Sequence, residues 1–247
     1  MAKCVAIVSG GMDSMTMVKL LQYEEHEVNM ISFNYGQRHV KELDFAQLYA
    51  IDNSLRHEII NLQVLTDLIS DSVLTDHDRE VPDGLYNEET MKLTVVPNRN
   101  MIMLSIATGW AVTLGAEFVA AGIHAGDHFI YPDCRPVFAH SMNQTMKYAT
   151  EGFSSFPERG PGPGSTEVWR GNALFTPFLN MGKHDIARLG DKLGVDYRMT
   201  WSCYKAGEIH CGRCGTCTER KEAFRLAKVP DPTQYEDEEF KVLVYRG

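Results

Sequence analysis

The chain has 247 residues, enough for one large domain or one and a half small ones, and its apolar fraction of 44% is ordinary for a globular protein. No apolar run approaches the roughly 20 residues of a membrane-spanning helix, and the N-terminus carries no signal-peptide pattern, so we expect a cytoplasmic protein with no membrane partner. A net charge of −9 without a Lys/Arg cluster argues against a nucleic-acid partner.

Strands and helices alternate along the first half of the chain. Continuous apolar runs predict strands over 3–8, 28–34, 58–60 and 117–123, and helical patterns lie between them at 14–23, 38–51 and 100–114. This alternation predicts an α/β fold with a Rossmann-like parallel sheet and helices on both faces. Two turn-rich stretches, 70–90 and 151–171, break the pattern and are predicted to be lids or disordered segments.

The first predicted strand runs into a glycine-rich turn and a helix, at "AIVSGGMDSM" (residues 6–15). Ligands of parallel sheets bind beyond the carboxyl ends of the strands, where turn N–H groups and a helix N-terminus hold phosphate. The stretch matches neither the Walker motif nor the dinucleotide fingerprint. It therefore predicts a phosphate site of another type, with a plain strand-to-helix turn as the alternative.

Four cysteines near the C-terminus follow the spacing C-x7-C-x2-C-x2-C: Cys203, Cys211, Cys214 and Cys217. Four thiolates in so short a span favour tetrahedral zinc, and a closed site of this kind is structural because it has no open coordination position. An iron–sulfur cluster is the rival, but a ferredoxin-type run needs a cysteine where this chain has Lys221. His210 is an alternative to one thiolate, and Cys4 is predicted to be a core residue.

The turn at residues 9–14, "SGGMDS", resembles the S-G-G-x-D-S signature of the PP-loop ATP pyrophosphatases, which cleave ATP between its α and β phosphates. The resemblance implies that the Ser9 and Ser14 hydroxyls hold the departing pyrophosphate and that Asp13 orders the turn or holds magnesium. It also implies an ATP-binding run along the loop and the first helix turns: Val8, Ser9, Gly10, Gly11, Met12, Asp13, Ser14, Met15, Thr16, Met17 and Val18.

Three further stretches, "FNYGQRH" (33–39), "VPNRNMIML" (96–104) and "GIHAGDHFIYPDCRPVF" (122–138), come with the four-cysteine tail. Together they resemble the 7-cyano-7-deazaguanine synthases of queuosine biosynthesis, from about Ala2 to about Phe224. The resemblance implies a PP-loop domain over 1–200, a small zinc-binding segment over 201–247, and a homodimer.

The same resemblance implies a ligase that converts 7-carboxy-7-deazaguanine and ammonia to the nitrile, with ATP activating first the carboxylate and then the amide. Three departures lie near the expected substrate pocket: Asn98 replaces a usual glycine, "HAGDH" (124–128) is less acidic, and 151–171 is longer. They leave open a reaction that stops at the amide or uses a different acceptor. A tRNA-modifying PP-loop enzyme and a non-catalytic nucleotide-binding module are further alternatives, opposed respectively by the acidic charge and by the intact signature.

The resemblance also assigns residues outside the loop. Lys183 is expected to neutralise the α-phosphate, with a surface lysine as the alternative, and Tyr35 and Gln37 are expected near adenine. Six residues are assigned to the substrate, with helix capping or a solvated loop as alternatives: Arg99, Asn100, Asp127, Asp133, Cys134 and Arg135. Carboxylates among them suit the guanine-like N1–H and amine, which are hydrogen-bond donors.

Overall fold

The structure is a computed structural model that describes residues 1–69, 72–76, 78–84, 92–127, 131–157 and 172–240, without the side chains of Asp67, Ile69 and Asp127. Within these residues five parallel strands form one sheet in the order β3-β2-β1-β4-β5. Their bounds are β1 (Lys3–Ile7), β2 (Glu27–Asn34), β3 (Arg56–Asn61), β4 (Phe118–Ala121) and β5 (Leu174–Phe175).

Helices connect and cover the strands. In the described ranges they are α1 (Met12–Tyr23), α2 (Glu42–Asp52), α3 (Thr66–Ile69), α4 (Arg99–Leu114), α5 (Pro136–Ala149), α6 (Lys183–Leu193) and α7 (Gly215–Ala227). Short 3₁₀ turns lie at Gln63–Leu65, Ala125–Asp127, Pro132–Cys134 and Tyr197–Met199. None of these helices combines the length and apolar composition needed to cross a membrane.

The central strands are buried on both faces, which is why they read as continuous apolar runs. Cys4 and Ala6 of β1 pack with Phe118 of β4 on the face that α1 and α6 cover. Val5 and Val119 point to the opposite face and pack with α4 and α5. The predicted α/β architecture with helices on both sides of a parallel sheet is therefore confirmed.

Most predicted boundaries differ from the structure by one or two residues, and for two elements the difference has a structural cause. The helix predicted from Arg38 begins at Glu42, because Arg38 to Lys41 form a turn in which the Arg38 N–H donates to the Leu74 carbonyl at 2.7 Å. The last predicted strand is shorter, Phe118–Ala121, because it pairs with only four residues of β1, Cys4 to Ile7, and with two residues of β5.

Part of the stretch predicted as a lid or disordered segment is packed into the core. Val73 and Leu74 are each 1% exposed and join the cluster between the sheet and α4. Val81 packs on the four-cysteine cluster, and the Gly84 N–H donates to the Arg213 carbonyl at 2.8 Å. Residues 70–71, 77 and 85–90, and residues 158–171 of the second stretch, lie outside the described part of the chain.

The C-terminal segment packs directly against the loop between β1 and α1. The Trp201 N–H donates to the Gly10 carbonyl at 2.9 Å. Arg220 of α7 is fully buried, and its guanidinium donates to the Tyr197 carbonyl at 2.9 Å, the Thr200 hydroxyl at 2.8 Å and the Ser202 hydroxyl at 3.0 Å. The division of the chain at residue 200 stays a prediction, and all of these contacts except the Arg220–Ser202 hydrogen bond cross it.

Gly10 is the residue that lets this loop approach α2. Its φ is +93°, a conformation that L-residues with a side chain rarely adopt, and a Cβ placed there would lie 1.9 Å from the Glu42 carbonyl oxygen. The close approach puts the first turn of α2 beside the loop, so a side chain at position 10 would force both segments apart.

Gly10→Ala is expected to lower the free energy of unfolding by about 2–4 kcal/mol, from backbone strain together with the clash. Gly109→Ala is the matched control: it lies in α4, and a Cβ there meets nothing within 4 Å. That control should instead gain about 0.5–1 kcal/mol. Urea unfolding of both variants measures the two effects, and a Gly10→Ala protein as stable as wild type would contradict the assigned role.

Candidate active site and metal centre

The loop between β1 and α1 is held by its two serines. The Ser9 N–H donates to the Ser14 hydroxyl at 3.2 Å, and the Gly11 N–H donates to the Ser9 hydroxyl at 3.2 Å. The Ser14 hydroxyl in turn donates to the Gly11 carbonyl at 3.1 Å. The first N–H groups of α1 have no partner within the helix, as at any helix start, and they lie at the carboxyl end of β1. The arrangement can bind an anion.

Four charged or titratable side chains meet beside this loop. Asp13 Oδ2 lies 3.6 Å from Lys183 Nζ and 3.7 Å from His124 Nε2. Lys183 Nζ also donates to Glu219 Oε2, at 2.6 Å. The other oxygen of Asp13, Oδ1, is buried and has no hydrogen-bond partner among the described residues. A buried carboxylate oxygen without a donor is available to a ligand that brings one, or to a cation.

These side chains border an open cavity of about 250 Å³, another part of whose lining is aromatic and cationic. Arg99, at the start of α4, donates to the Tyr35 hydroxyl at 3.3 Å and lies over the Tyr35 ring. Tyr131 and Tyr204 also line the cavity. The cavity therefore has one end with N–H donors and a lysine, and another end with a guanidinium among tyrosines.

Two buried titratable groups complete the aromatic end. Burial raises the pKa of Glu42 to about 8, against the lowering effects of Arg99 and of the hydrogen bond from Gln37. Burial lowers the pKa of His39 to about 3, and the positive charge of Arg99 acts in the same direction. His39 is consequently neutral at pH 7, and its ring packs on Tyr204 with centroids 4.6 Å apart.

The start of α4 is capped from a distant segment. Asp133 Oδ2 accepts a hydrogen bond from the Asn100 N–H at 3.0 Å, and the Asn100 amide donates to the Asp133 carbonyl and to Cys134 Sγ, each at 3.2 Å. Asn98, which stands where the resemblance expects glycine, has φ +61°. Asn tolerates this left-handed conformation better than most residues, so asparagine in place of glycine allows the same backbone conformation.

The cavity brings together about half of the residues that the sequence singles out. Those that line it are Val8, Ser9, Gly11, Asp13, Ser14, Tyr35, Arg99, Asn100, Cys134 and Lys183. The remaining assigned residues with described side chains do not line it: Gly10, Met12, Met15, Thr16, Met17, Val18, Gln37, Asp133 and Arg135. Met15, Met17 and Val18 pack in the core, and the Gln37 amide bonds to the backbone of Tyr35 and Phe33. The side chain of Asp127 lies outside the described part of the chain.

Six titratable residues of the cavity were not assigned from the sequence: His39, Glu42, His124, Tyr131, Tyr204 and Glu219. His124 lies within the quoted stretch 122–138, and Glu219 follows Cys217 by two positions. Their position close to assigned motifs is the one feature of the sequence that could have indicated them. Nothing in the local pattern indicates that the two reach Asp13 and Lys183, because those contacts come from other strands and helices.

The four cysteines form one buried cluster that fits a zinc ion. Their sulfur atoms all lie within 4.8 Å of one another, and Cys211 and Cys217 are 3.9 Å apart. Sulfur atoms bound tetrahedrally at 2.3 Å from zinc lie about 3.8 Å apart. The Cys214 N–H donates to the Cys211 sulfur at 3.2 Å, a bond that favours thiolate. The donor set and spacing match a closed structural zinc centre.

His210 is not part of this cluster. Its Nε2 accepts the Ser202 N–H at 3.0 Å, and its ring packs on Trp201 with centroids 4.3 Å apart. Burial lowers the pKa of His210 to about 4, so it is neutral at pH 7. Its alternative role as a substitute for one thiolate finds no geometric support, and it packs the cysteine cluster against the segment that touches Gly10.

Comparison with known proteins agrees with this arrangement. The family model described as "Queuosine biosynthesis protein QueC" matches residues 3–228. The chain belongs to the QueC family. The 7-cyano-7-deazaguanine synthase of Rhizobium johnstonii is 48% identical over 238 residues, which cover 96% of this chain and 94% of that protein. The 7-cyano-7-deazaguanine synthase of Ruegeria pomeroyi is 47% identical and the match covers 96% of each chain.

Membership of the QueC family assigns the activity of the chain. It is an ATP-dependent ligase with 7-cyano-7-deazaguanine synthase function in queuosine biosynthesis. Among solved structures, the NH3-dependent NAD synthetase of Campylobacter jejuni is 15% identical with a TM-score of 0.45, and the match covers 80% of this chain and 66% of that one.

Zinc is expected at about one ion per chain by elemental analysis, and Cys214→Ser should unfold or aggregate the protein, because structural zinc contributes folding free energy. Cys4→Ala is the matched control, since Cys4 is a buried residue of β1 outside the cluster. It should keep its zinc. A stable, zinc-free and active Cys214→Ser protein would overturn the structural role, and iron with a visible chromophore would indicate a cluster instead.

The raised pKa of Glu42 makes stability depend on pH. Between its ordinary pKa of 4.5 and its folded value of about 8, the folded chain holds a proton that the unfolded chain has lost. The free energy of unfolding therefore falls as the pH rises through this window. Glu42→Gln cannot titrate, so its stability relative to wild type should increase from pH 5 to pH 8. Urea unfolding at pH 5, 6.5 and 8 tests this, with Asp44→Asn on the same helix as control. A difference in the free energy of unfolding between Glu42→Gln and wild type that does not change with pH would contradict the raised pKa of Glu42.

Proposed function

We propose that the chain makes 7-cyano-7-deazaguanine from 7-carboxy-7-deazaguanine and ammonia, using the cavity between the β1–α1 loop and the start of α4. The observation that carries this is the pairing of two anion-binding ends in one cavity. N–H donors and Lys183 lie at one end, and the Arg99 guanidinium lies at the other. A triphosphate and an anionic substrate can then be held facing each other.

The chemistry needs two activations. A carboxylate is a poor acyl donor because its oxygen leaves badly, so the substrate carboxylate attacks the α-phosphate of ATP and pyrophosphate departs. Ammonia then attacks the acyl adenylate, and AMP leaves with the oxygen to give the amide. A second ATP activates the amide oxygen in the same way, and loss of AMP with the N–H protons gives the nitrile.

The loop end is assigned to the phosphates. The first N–H groups of α1 and the hydroxyls of Ser9 and Ser14 bind the departing pyrophosphate, because fixed donors stabilise charge that develops in the transition state. Lys183 faces the α-phosphate. The unpartnered Oδ1 of Asp13 supports a magnesium ion that accompanies ATP, since a hard cation prefers carboxylate oxygen.

The other end is assigned to the deazapurine. Arg99 can pair with an anionic group of the substrate, and Asn100 and Cys134 border the same space. One carboxylate oxygen of Asp133 already accepts a hydrogen bond from the N-terminus of α4. This favours helix capping, the alternative to substrate binding, as the main role of Asp133. The roles of Asp127 and Arg135 as readers of the base, and of Tyr35 and Gln37 near adenine, stay predictions.

The sequence left open a reaction that ends at the amide or uses a different acceptor, and membership of the family favours the nitrile. Mass spectrometry of the products from carboxydeazaguanine, ATP and ammonium separates nitrile from amide. A cytoplasmic homodimer is the expected state, and size-exclusion chromatography with light scattering measures the mass in solution.

Turnover should release AMP and pyrophosphate, because a loop that holds the β and γ phosphates leaves the α-phosphate facing the substrate. Asp13→Asn should lower kcat about 100-fold or more with little change in stability. Asp44→Asn, which removes an exposed carboxylate of α2, is the control. Nucleotide analysis by chromatography reads out the products. Finding ADP as the main product, or an undiminished rate for Asp13→Asn, would falsify this account.

A further inference from the structure

Lys183 has a closer partner than the loop aspartate. Its Nζ lies 2.6 Å from Glu219 Oε2 and 3.6 Å from Asp13 Oδ2. A hydrogen bond between two charged groups at the shorter distance is the stronger and more directional one. Of these two carboxylates, Glu219 therefore sets where the ammonium group lies.

Glu219 lies in helix α7, and residues before and after Glu219 hold the first turns of this helix in place. α7 begins at Gly215, directly after Cys214, and Cys217 lies in its first turn. Both cysteines belong to the buried four-cysteine cluster. Arg220, the residue after Glu219, is fully buried and makes the three hydrogen bonds to residues 197–202 described above. The backbone that presents Glu219 is therefore held by the cluster on one side and by Arg220 on the other.

We propose that Glu219 is a positioning residue for the ligase reaction. It holds Lys183 Nζ beside the loop between β1 and α1, and it makes the position of Nζ depend on the zinc centre. The proposal rests on the role given to Lys183 under the proposed function. A lysine side chain has several rotatable bonds, and fixing it before ATP binds removes an entropic cost from the reaction. A displacement of a reacting group by about 1 Å can cost about 100-fold in rate.

Kinetics of three variants test the proposal. Glu219→Ala should lower kcat about 10- to 100-fold, while KM for ATP changes less than about 3-fold, since the loop N–H groups still hold the phosphates. Glu219→Gln keeps an oxygen acceptor without the charge and should fall between Glu219→Ala and wild type. Glu222→Gln is the matched control on the same helix: Glu222 is exposed and pairs with Arg225, and its variant should keep the wild-type kcat.

A double-mutant cycle shows whether Glu219 acts through Lys183. In a Lys183→Ala background, Glu219→Ala should cause no further loss of kcat, because the group that it positions is gone. Zinc content and the free energy of unfolding should match wild type in Glu219→Ala. A merely structural role would instead lower those two quantities and would persist in the double variant.

Three results would overturn the proposal, and they distinguish its failure from a failure of the role of Lys183. A wild-type kcat for Glu219→Ala, or a double variant slower by the product of the two single losses, refutes positioning while leaving the proposed function intact. A wild-type kcat for Lys183→Ala removes the role of Lys183 in the reaction, and the positioning role of Glu219 falls with it.

Discussion

The backbone of Gly10 is in contact with two other segments at once, and the geometry of the candidate active site depends on these two contacts. Its carbonyl accepts the Trp201 N–H, and its α-carbon lies so close to the Glu42 carbonyl that no side chain fits. Gly10 is therefore the point of contact between three segments: the phosphate loop (the loop between β1 and α1), the start of α2 and the cysteine-rich tail (residues 201–247). The loop keeps its shape through these neighbours as well as through its own serine hydrogen bonds.

Charge is distributed unevenly around the cavity of a protein that is acidic overall. The proposed binding of a triphosphate and an anionic substrate requires local donors, and helix N–H groups, Lys183 and Arg99 are present in the cavity for this purpose. The carboxyl of Glu42 at the aromatic end has a pKa raised by burial, which reduces the negative charge there at neutral pH. The carboxylates of Asp13 and Glu219 beside the loop lie 3.6 and 2.6 Å from Lys183 Nζ, which offsets part of their repulsion of phosphate.

Local motifs carried most of what the sequence could predict. The strand–loop–helix at residues 3–23 and the four-cysteine spacing are contiguous, and their residue types dictate their chemistry without knowledge of the rest of the fold. Helix α7 was not predicted, because Thr216, Thr218 and Arg220 are polar residues on its buried face, and a hydrophobic pattern cannot detect them. Strand β5 has only two residues and gives no pattern at all.

The cavity residues that were not predicted from the sequence were missed for a different reason. His124 and Glu219 approach Asp13 and Lys183 only because β4 ends, and α7 begins, beside the carboxyl end of β1. Glu42 is drawn to the cavity by the close packing of α2 on Gly10. Such contacts join residues far apart in the chain, and neither spacing nor composition records them.

The buried guanidinium of Arg220 has a consequence for how this chain can be divided. Its hydrogen bonds reach residues 197, 200 and 202, which lie on either side of the border between the two segments distinguished in the sequence. A cut at that border would leave a buried charge without two of its three hydrogen-bond acceptors in one fragment, and an unsupported loop between β1 and α1 in the other. The cysteine-rich tail is thus not a detachable module: recombination between relatives would have to exchange it together with the loop it supports.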